Sequence, residues 1–233
     1  MSDLAPTPEL LRSLGRLARG LSIVFWGLPI AVLVCVATAR EDFLRPLNVA
    51  PPVMALAWLL YGLIQLGQFQ KQERIWHAAL DRAKILAVIN IGLAPFLYWW
   101  NRAPTQPFFM AVVILHAASG LLFLSELNVV LVRLTAMLPE ETLRQETKQF
   151  AMLNRILILC TFLFASIYLA LNQLSQPPQF LGDILNYHQS RMILSRLLFA
   201  LAIFLLLSPL AITMALIWKA KEVILDSVFG GRK

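Results

Sequence analysis

Six mostly apolar stretches divide the chain, at about 21–39, 52–68, 85–101, 108–132, 155–173 and 193–218. A hydrocarbon core about 30 Å thick needs about 20 predominantly apolar residues in helical form, and each stretch is near that length. The pattern predicts an all-α, polytopic membrane helix bundle with six transmembrane helices. Two kinds of polar segment alternate between them. One kind is rich in proline, which cannot continue a helix and favours turns: Pro46, Pro51 and Pro52, then Pro104 and Pro107, then Pro177 and Pro178. The other kind is amphipathic. Residues 8–20 place Leu10, Leu11, Leu14, Leu17 and Ala18 at helical spacing with arginines between them. Residues 70–84 contain neither Gly nor Pro, which predicts a helix running directly into the third span. Residues 139–154 begin Pro-Glu-Glu-Thr and turn basic at Arg144 and Lys148, an order that suits the helix macrodipole. Continued to residue 173, that helix is about 50 Å long and protrudes from the bilayer. No stretch is left for a separate soluble domain, so residues 1–233 read as one integral membrane domain.

Charge orients this frame. Of the 20 Lys and Arg residues, 15 lie in or beside the N-terminus, the second and fourth loops and the C-terminal tail, and five lie in the other three loops. By the positive-inside rule both termini are cytoplasmic, and the expected location is a plasma membrane of bacterial inner-membrane type. With 59% hydrophobic and 14% charged residues, the chain is far from the globular norm of about 25% charged. The net charge of +7 does not point to nucleic acid, because the basic residues flank spans instead of forming a polar face. Their expected partner is the lipid bilayer, through anionic headgroups. Arg12, Arg16 and Arg19 followed by an apolar run and Ala37-Thr38-Ala39 resemble a cleaved signal peptide. The run exceeds the usual signal core of about 7–15 residues, however, and cleavage would leave five spans. Cys35 and Cys160 sit at different depths, which disfavours a disulfide. Tyr98, Trp99 and Trp100 at one surface and Trp218 at the other fit an aromatic belt.

Two sets of residues inside the spans are candidates for function. Gly27 and Pro29 in the first helix, and Gly92 and Pro95 in the third, are candidate helix breaks at nearly the same depth. Breaks at corresponding places point to a transporter's binding site, although Gly and Pro are also common as kinks or close contacts in membrane helices. Pro209 in the sixth helix has no matching partner and reads as a simple kink. The second set is polar. His116, Ser119 and Glu126 share an arc of the fourth helix, and Gln65, Asn90 and Asn128 are expected near the inner depth of Glu126. Ionisable groups in a span are costly and usually face the bundle interior or water. One reading is a hydrated, proton-linked path titrating at Glu126 and His116, and the other is interhelical hydrogen bonding worth about 1 kcal/mol or less per contact.

Motifs for chemistry are missing. Ala117-Ala118-Ser119-Gly120 is similar to the Gly-x-Ser-Gly nucleophile segment of rhomboid proteases, but residue 117 is Ala and the sixth helix lacks the histidine such a serine needs. Trp99-Trp100 followed by His188 faintly resembles six-helix haem-handling proteins of cytochrome c maturation, without their long tryptophan-rich motif. His77, His116 and His188 share no depth, and there is no phosphate-binding loop and no Cys-x-x-Cys pair. No catalytic residue, cofactor or metal site is therefore expected. In layout the chain resembles permease subunits of two-component ATP-driven exporters, with Leu174–Ser190 in the place of a short re-entrant helix, although its 133–154 loop is longer than that family's. Two functions are consistent with these features. One is a non-catalytic accessory or scaffold subunit that docks a protein partner on its cytoplasmic helices, and the other is a small permease or the membrane subunit of a transporter. Small residues such as Ala117, Ala118 and Gly120 permit helix association without setting an oligomeric state.

Overall fold

The computed structural model describes residues 8–69, 73–138, 140–173 and 188–229, and the regular structure of these residues is entirely helical. We number the α-helices α1 (Pro8–Arg40), α2 (Ala50–Leu66), α3 (Arg74–Leu93), α4 (Pro95–Arg102), α5 (Pro107–Ala136), α6 (Glu141–Gln173) and α7 (His188–Phe229). One 3-10 turn, Arg45–Leu47, joins α1 to α2. Five spans are long and apolar enough to cross a membrane: Arg12–Arg40, Arg74–Arg102, Pro107–Ala136, Glu141–Ile167 and Ile203–Asp226. By length and composition this is a multi-pass membrane protein. The second apolar stretch is shorter than the rest. At 17 residues α2 is about 25 Å long, so it falls short of a 30 Å core and needs local thinning or snorkelling to span it.

Local chemistry sets the helix ends. Pro107 occupies the first helical position of α5, where its missing N–H costs nothing, and Gln106 before it is extended (φ −79°, ψ 116°). Pro95 removes the N–H that would bond the carbonyl of Ile91, so the rod Arg74–Arg102 is interrupted at Ala94 and restarts as α4. Pro29 has no such effect, and α1 is helical from end to end through Gly27 and Pro29. The amphipathic segments belong to long helices. Residues 8–20 are the first turns of α1, and the 33-residue α6 reaches about 50 Å, as its sequence predicts. The re-entrant element expected at Leu174–Ser190 lies largely outside the described residues.

Packing follows chain order. Each helix lies against its sequence neighbours, α7 returns to α1, and the result is a closed ring of six rods with α3 and α4 forming one of them. All the rods alternate in direction. One end of the bundle, here called the basic end, carries the starts of α1, α3 and α6 and the ends of α5 and α7. The other, proline-rich end carries the α1–α2 and α4–α5 turns. There the Nδ2 of Asn101 on α4 donates to the carbonyls of Thr38 and Glu41, which satisfies the last turn of α1 and ties the two rods together.

In a bilayer no hydrophobic force separates helix from lipid, so close approach of backbones has to hold the bundle. The α1–α2 contact uses glycine for this purpose. A Cβ on Gly62 would lie 2.9 Å from side-chain methyls of Ile23 and Val24, and one on Gly20 would lie 3.1 Å from the backbone nitrogen of Leu66. The half of the bundle toward the basic end is densely filled: Leu17, Leu63, Leu80, Leu127, Leu134 and Ile217 are completely buried. Trp76 is the largest of the buried side chains there.

Candidate functional site

Arg82 on α3 places its Nε 3.3 Å from Oε2 of Glu126 on α5, which sets the register of these two antiparallel neighbours. The oxygen has no hydrogen-bond partner, so the contact is an ion pair without hydrogen-bond alignment. Arg82 is largely exposed and Glu126 only partly buried, so solvent or headgroups screen the pair to the scale of about 1 kcal/mol or less.

That register decides which candidate residues meet. Asn90 lies eight residues beyond Arg82, and His116 and Ser119 lie ten and seven residues before Glu126. On antiparallel helices these offsets put the three within about one turn of the same depth. Asn90 is therefore level with His116 and Ser119, about 12 Å from the level of Glu126 where its sequence position suggested it. Three unpartnered polar atoms gather here: Oδ1 of Asn90, Nδ1 of His116 and Oγ of Ser119. Asn90 and Ser119 are at least 95% buried, and the Nδ2 of Asn90 is used by the carbonyl of Leu86 at 2.9 Å. Ser119 and His116 do not bond each other, so they make no nucleophile–base pair.

Beside this level the ring opens into a cavity of about 280 Å³ that extends toward the proline-rich end. Its walls come from α1, α2, α3, α4, α5 and α7, with Leu28, Leu59, Leu97, Phe123 and Leu210 among them. Among the described residues of the wall, only Asn90, His116 and Cys35 bear a side-chain heteroatom. Toward the basic end the cavity stops at the packed leucines.

The other candidates lie elsewhere. Gln65 donates its Nε2 to the hydroxyl of Tyr61 at 2.8 Å on the outward side of α2. Asn128 is turned away from Glu126 and belongs to a separate polar seam. Its Nδ2 donates to the carbonyl of Leu124 at 2.7 Å and to the hydroxyl of Thr213 at 3.3 Å. Among the described residues no hydrogen bond or ion pair links His116, Ser119, Glu126, Gln65 and Asn90 to one another. Gly27 is a close contact against Leu59 of α2, whereas Gly92 faces open space.

The seam is the polar feature that sequence reasoning did not single out. Thr147, Asn154 and Thr161 recur every seven residues on α6, all buried, and the last two meet α7 around Pro209. Proline cannot supply the N–H that would bond the carbonyl of Leu205, and the hydroxyl of Thr161 lies 2.9 Å from that carbonyl and 2.8 Å from the carbonyl of Leu157 on its own helix, so its one proton serves both. Nδ2 of Asn154 donates to the carbonyl of Pro209 at 3.2 Å and to the Thr213 hydroxyl at 2.9 Å. That hydroxyl donates in turn to the Pro209 carbonyl at 2.8 Å. Thr213 thus gives one hydrogen bond and accepts from two asparagines, its full capacity.

Chemically, the arrangement offers binding and helix adhesion. Among the described residues no group of three or more His, Cys, Asp or Glu side chains is placed to hold a metal ion. The chain matches no family model, no curated protein and no solved structure.

Proposed function

We propose that this chain is a non-catalytic accessory or scaffold subunit of a membrane complex, lying in a plasma membrane of bacterial inner-membrane type with its basic end and both termini in the cytoplasm. The observation that carries this reading is the completely buried leucine and isoleucine core of the basic half, which among the described residues offers a polar solute no polar lining. The charge imbalance supports the orientation. The docking surface in this reading is the basic-end part of α6, where Arg144, Gln145, Lys148 and Gln149 are exposed on a helix whose Leu143 and Thr147 are buried. Glu146 on the same turn pairs with Lys219 of α7, which holds that surface to the bundle.

The test is purification of the tagged protein at native expression in mild detergent, with mass spectrometry of what co-elutes from the wild type and from Arg144→Glu/Lys148→Glu. A stoichiometric membrane subunit that is lost from the double variant is the expected result. A protein that elutes alone from both overturns the reading.

The cavity favours a second reading, a small permease or the membrane subunit of a transporter. A stoichiometric soluble ATPase in the same experiment would put this reading first. Proteoliposome flux that falls in Glu126→Gln or His116→Ala would then assign the titrating path, and flux unchanged in both would end it.

A further inference from the structure

The cavity beside Asn90 has a composition that selects its occupant, whether the chain is a scaffold or a permease. We infer that it is a binding site for a neutral, single-chain hydrocarbon amphiphile carrying a hydroxyl group, drawn from the surrounding bilayer. Among the described residues its wall is hydrocarbon apart from Asn90, His116 and Cys35, and apolar linings favour apolar molecules over water. Its volume of about 280 Å³ is ample for a hydrocarbon chain. Among the described residues it opens past Val36, Ala117, Leu206 and Leu207, which stay exposed, so the rest of a longer chain can leave between the helices.

The head group follows from the orphaned atoms. Oδ1 of Asn90 is an acceptor without a donor on a residue only 3% exposed, and Nδ1 of His116 and Oγ of Ser119 lie within a turn of its depth without partners. Each unpartnered buried group costs about 1–3 kcal/mol, and no water in the hydrocarbon region relieves it. A hydroxyl donates one hydrogen bond and accepts others, so it can answer Asn90 and one neighbour at once. A carbonyl or ether only accepts and leaves Asn90 unanswered. Among the described residues the wall supplies no Lys or Arg for a carboxylate or phosphate and no Asp or Glu for an amine.

Gly120 makes the inference testable. It lines the cavity, and a Cβ built on it meets nothing within 4 Å, so a larger side chain can start there without a clash at its Cβ, and leucine has better helix propensity than glycine. Gly92 also has open space but lies outside the lining and serves as the control. The full chain in lipid nanodiscs is irradiated with a diazirine-bearing long-chain primary alcohol, and in parallel with the methyl ether of the same probe. The expected result is saturable labelling of α3 and α5 peptides by the alcohol, displaced by excess 1-dodecanol and at least fivefold weaker for the ether. Gly120→Leu lowers it at least fivefold, Gly92→Leu leaves it unchanged, and Asn90→Leu brings the alcohol down to the level of the ether. Should Gly120→Leu fail to fold, Ala117→Leu fills the same cavity. Equal labelling by alcohol and ether overturns the hydroxyl assignment. Non-saturable labelling, or labelling that survives the filling variants, overturns the site itself.

Discussion

At Gly62 a side chain has no room: its Cβ would stand 2.9 Å from Cγ2 of both Ile23 and Val24, and β-branched residues on a helix have little rotamer freedom with which to yield. Gly62→Ala should therefore cost about 1–3 kcal/mol, the usual scale of overpacking. Gly92→Ala meets nothing within 4 Å and removes the entropic penalty of a helical glycine, so it should be neutral or stabilising by up to about 1 kcal/mol. Thermal unfolding of the two variants in one detergent gives the comparison. A Gly92→Ala protein that unfolds below Gly62→Ala contradicts the packing described for α1 and α2. Both glycines stand out equally in the sequence, and only the neighbouring helix distinguishes them. The same holds for Gly27 and Pro29, whose spacing suggested a break: α1 runs unbroken through both, and Gly27 is a close contact against Leu59. Backbone is unwound in a span only where other groups satisfy it, and that condition is tertiary.

Between elements, α6 and α7 are joined by hydrogen bonds that compensate for Pro209. Asn154→Leu removes two hydrogen bonds at a buried position and Thr213→Val removes three, two of them accepted from asparagines, so both should destabilise the bundle and Thr213→Val at least as much as Asn154→Leu. The coupling between them in a double-mutant cycle should be near 0.6 kcal/mol and not above about 1.7, the range for such contacts in membranes. Zero coupling contradicts the direct Asn154–Thr213 bond. Thr161→Val leaves the carbonyl of Leu205 without a donor, whereas Thr161→Val with Pro209→Ala restores a backbone N–H to it. The double variant should accordingly recover stability that the single variant loses. This seam was present in the sequence as the seven-residue recurrence of Thr147, Asn154 and Thr161. Isolated Thr and Asn residues carry little signal, and the proline that gives one of them its purpose lies 48 residues away from it.

For the molecule as a whole, the features legible in advance were those that bilayer thickness and local backbone chemistry impose: the apolar lengths, the proline turns and the long rod of α6. The polar candidates were legible as residues but not as a site. A helical wheel locates His116, Ser119 and Glu126 on one helix, while the register against α3, set by Arg82 and Glu126, decides that Asn90 joins the first two and not the third. The cavity was not legible at all, since it is a gap among five rods, and its lining residues resemble any others in a span. The charge imbalance, however, makes a claim about the whole chain that side-chain geometry does not touch. With Cys35 and Cys160 changed to Ser, a single cysteine at exposed Gln145 reports the basic end and one at exposed Thr105 reports the proline-rich end. In intact spheroplasts a membrane-impermeant maleimide should label Thr105→Cys at once and Gln145→Cys only after permeabilisation. The reverse pattern would mean that the whole bundle is inverted, with 15 of 20 basic residues on the outer side against the insertion bias that governs short loops, or that α2, at about 25 Å, fails to span and every later helix is inverted relative to α1. Either would move the proposed docking surface on α6 out of reach of any cytoplasmic partner. Labelling of both sites without permeabilisation would put the two ends of α5 on one side of the membrane, against its reading as a span. The short helix and the orientation rule are thus tested by the same pair of cysteines.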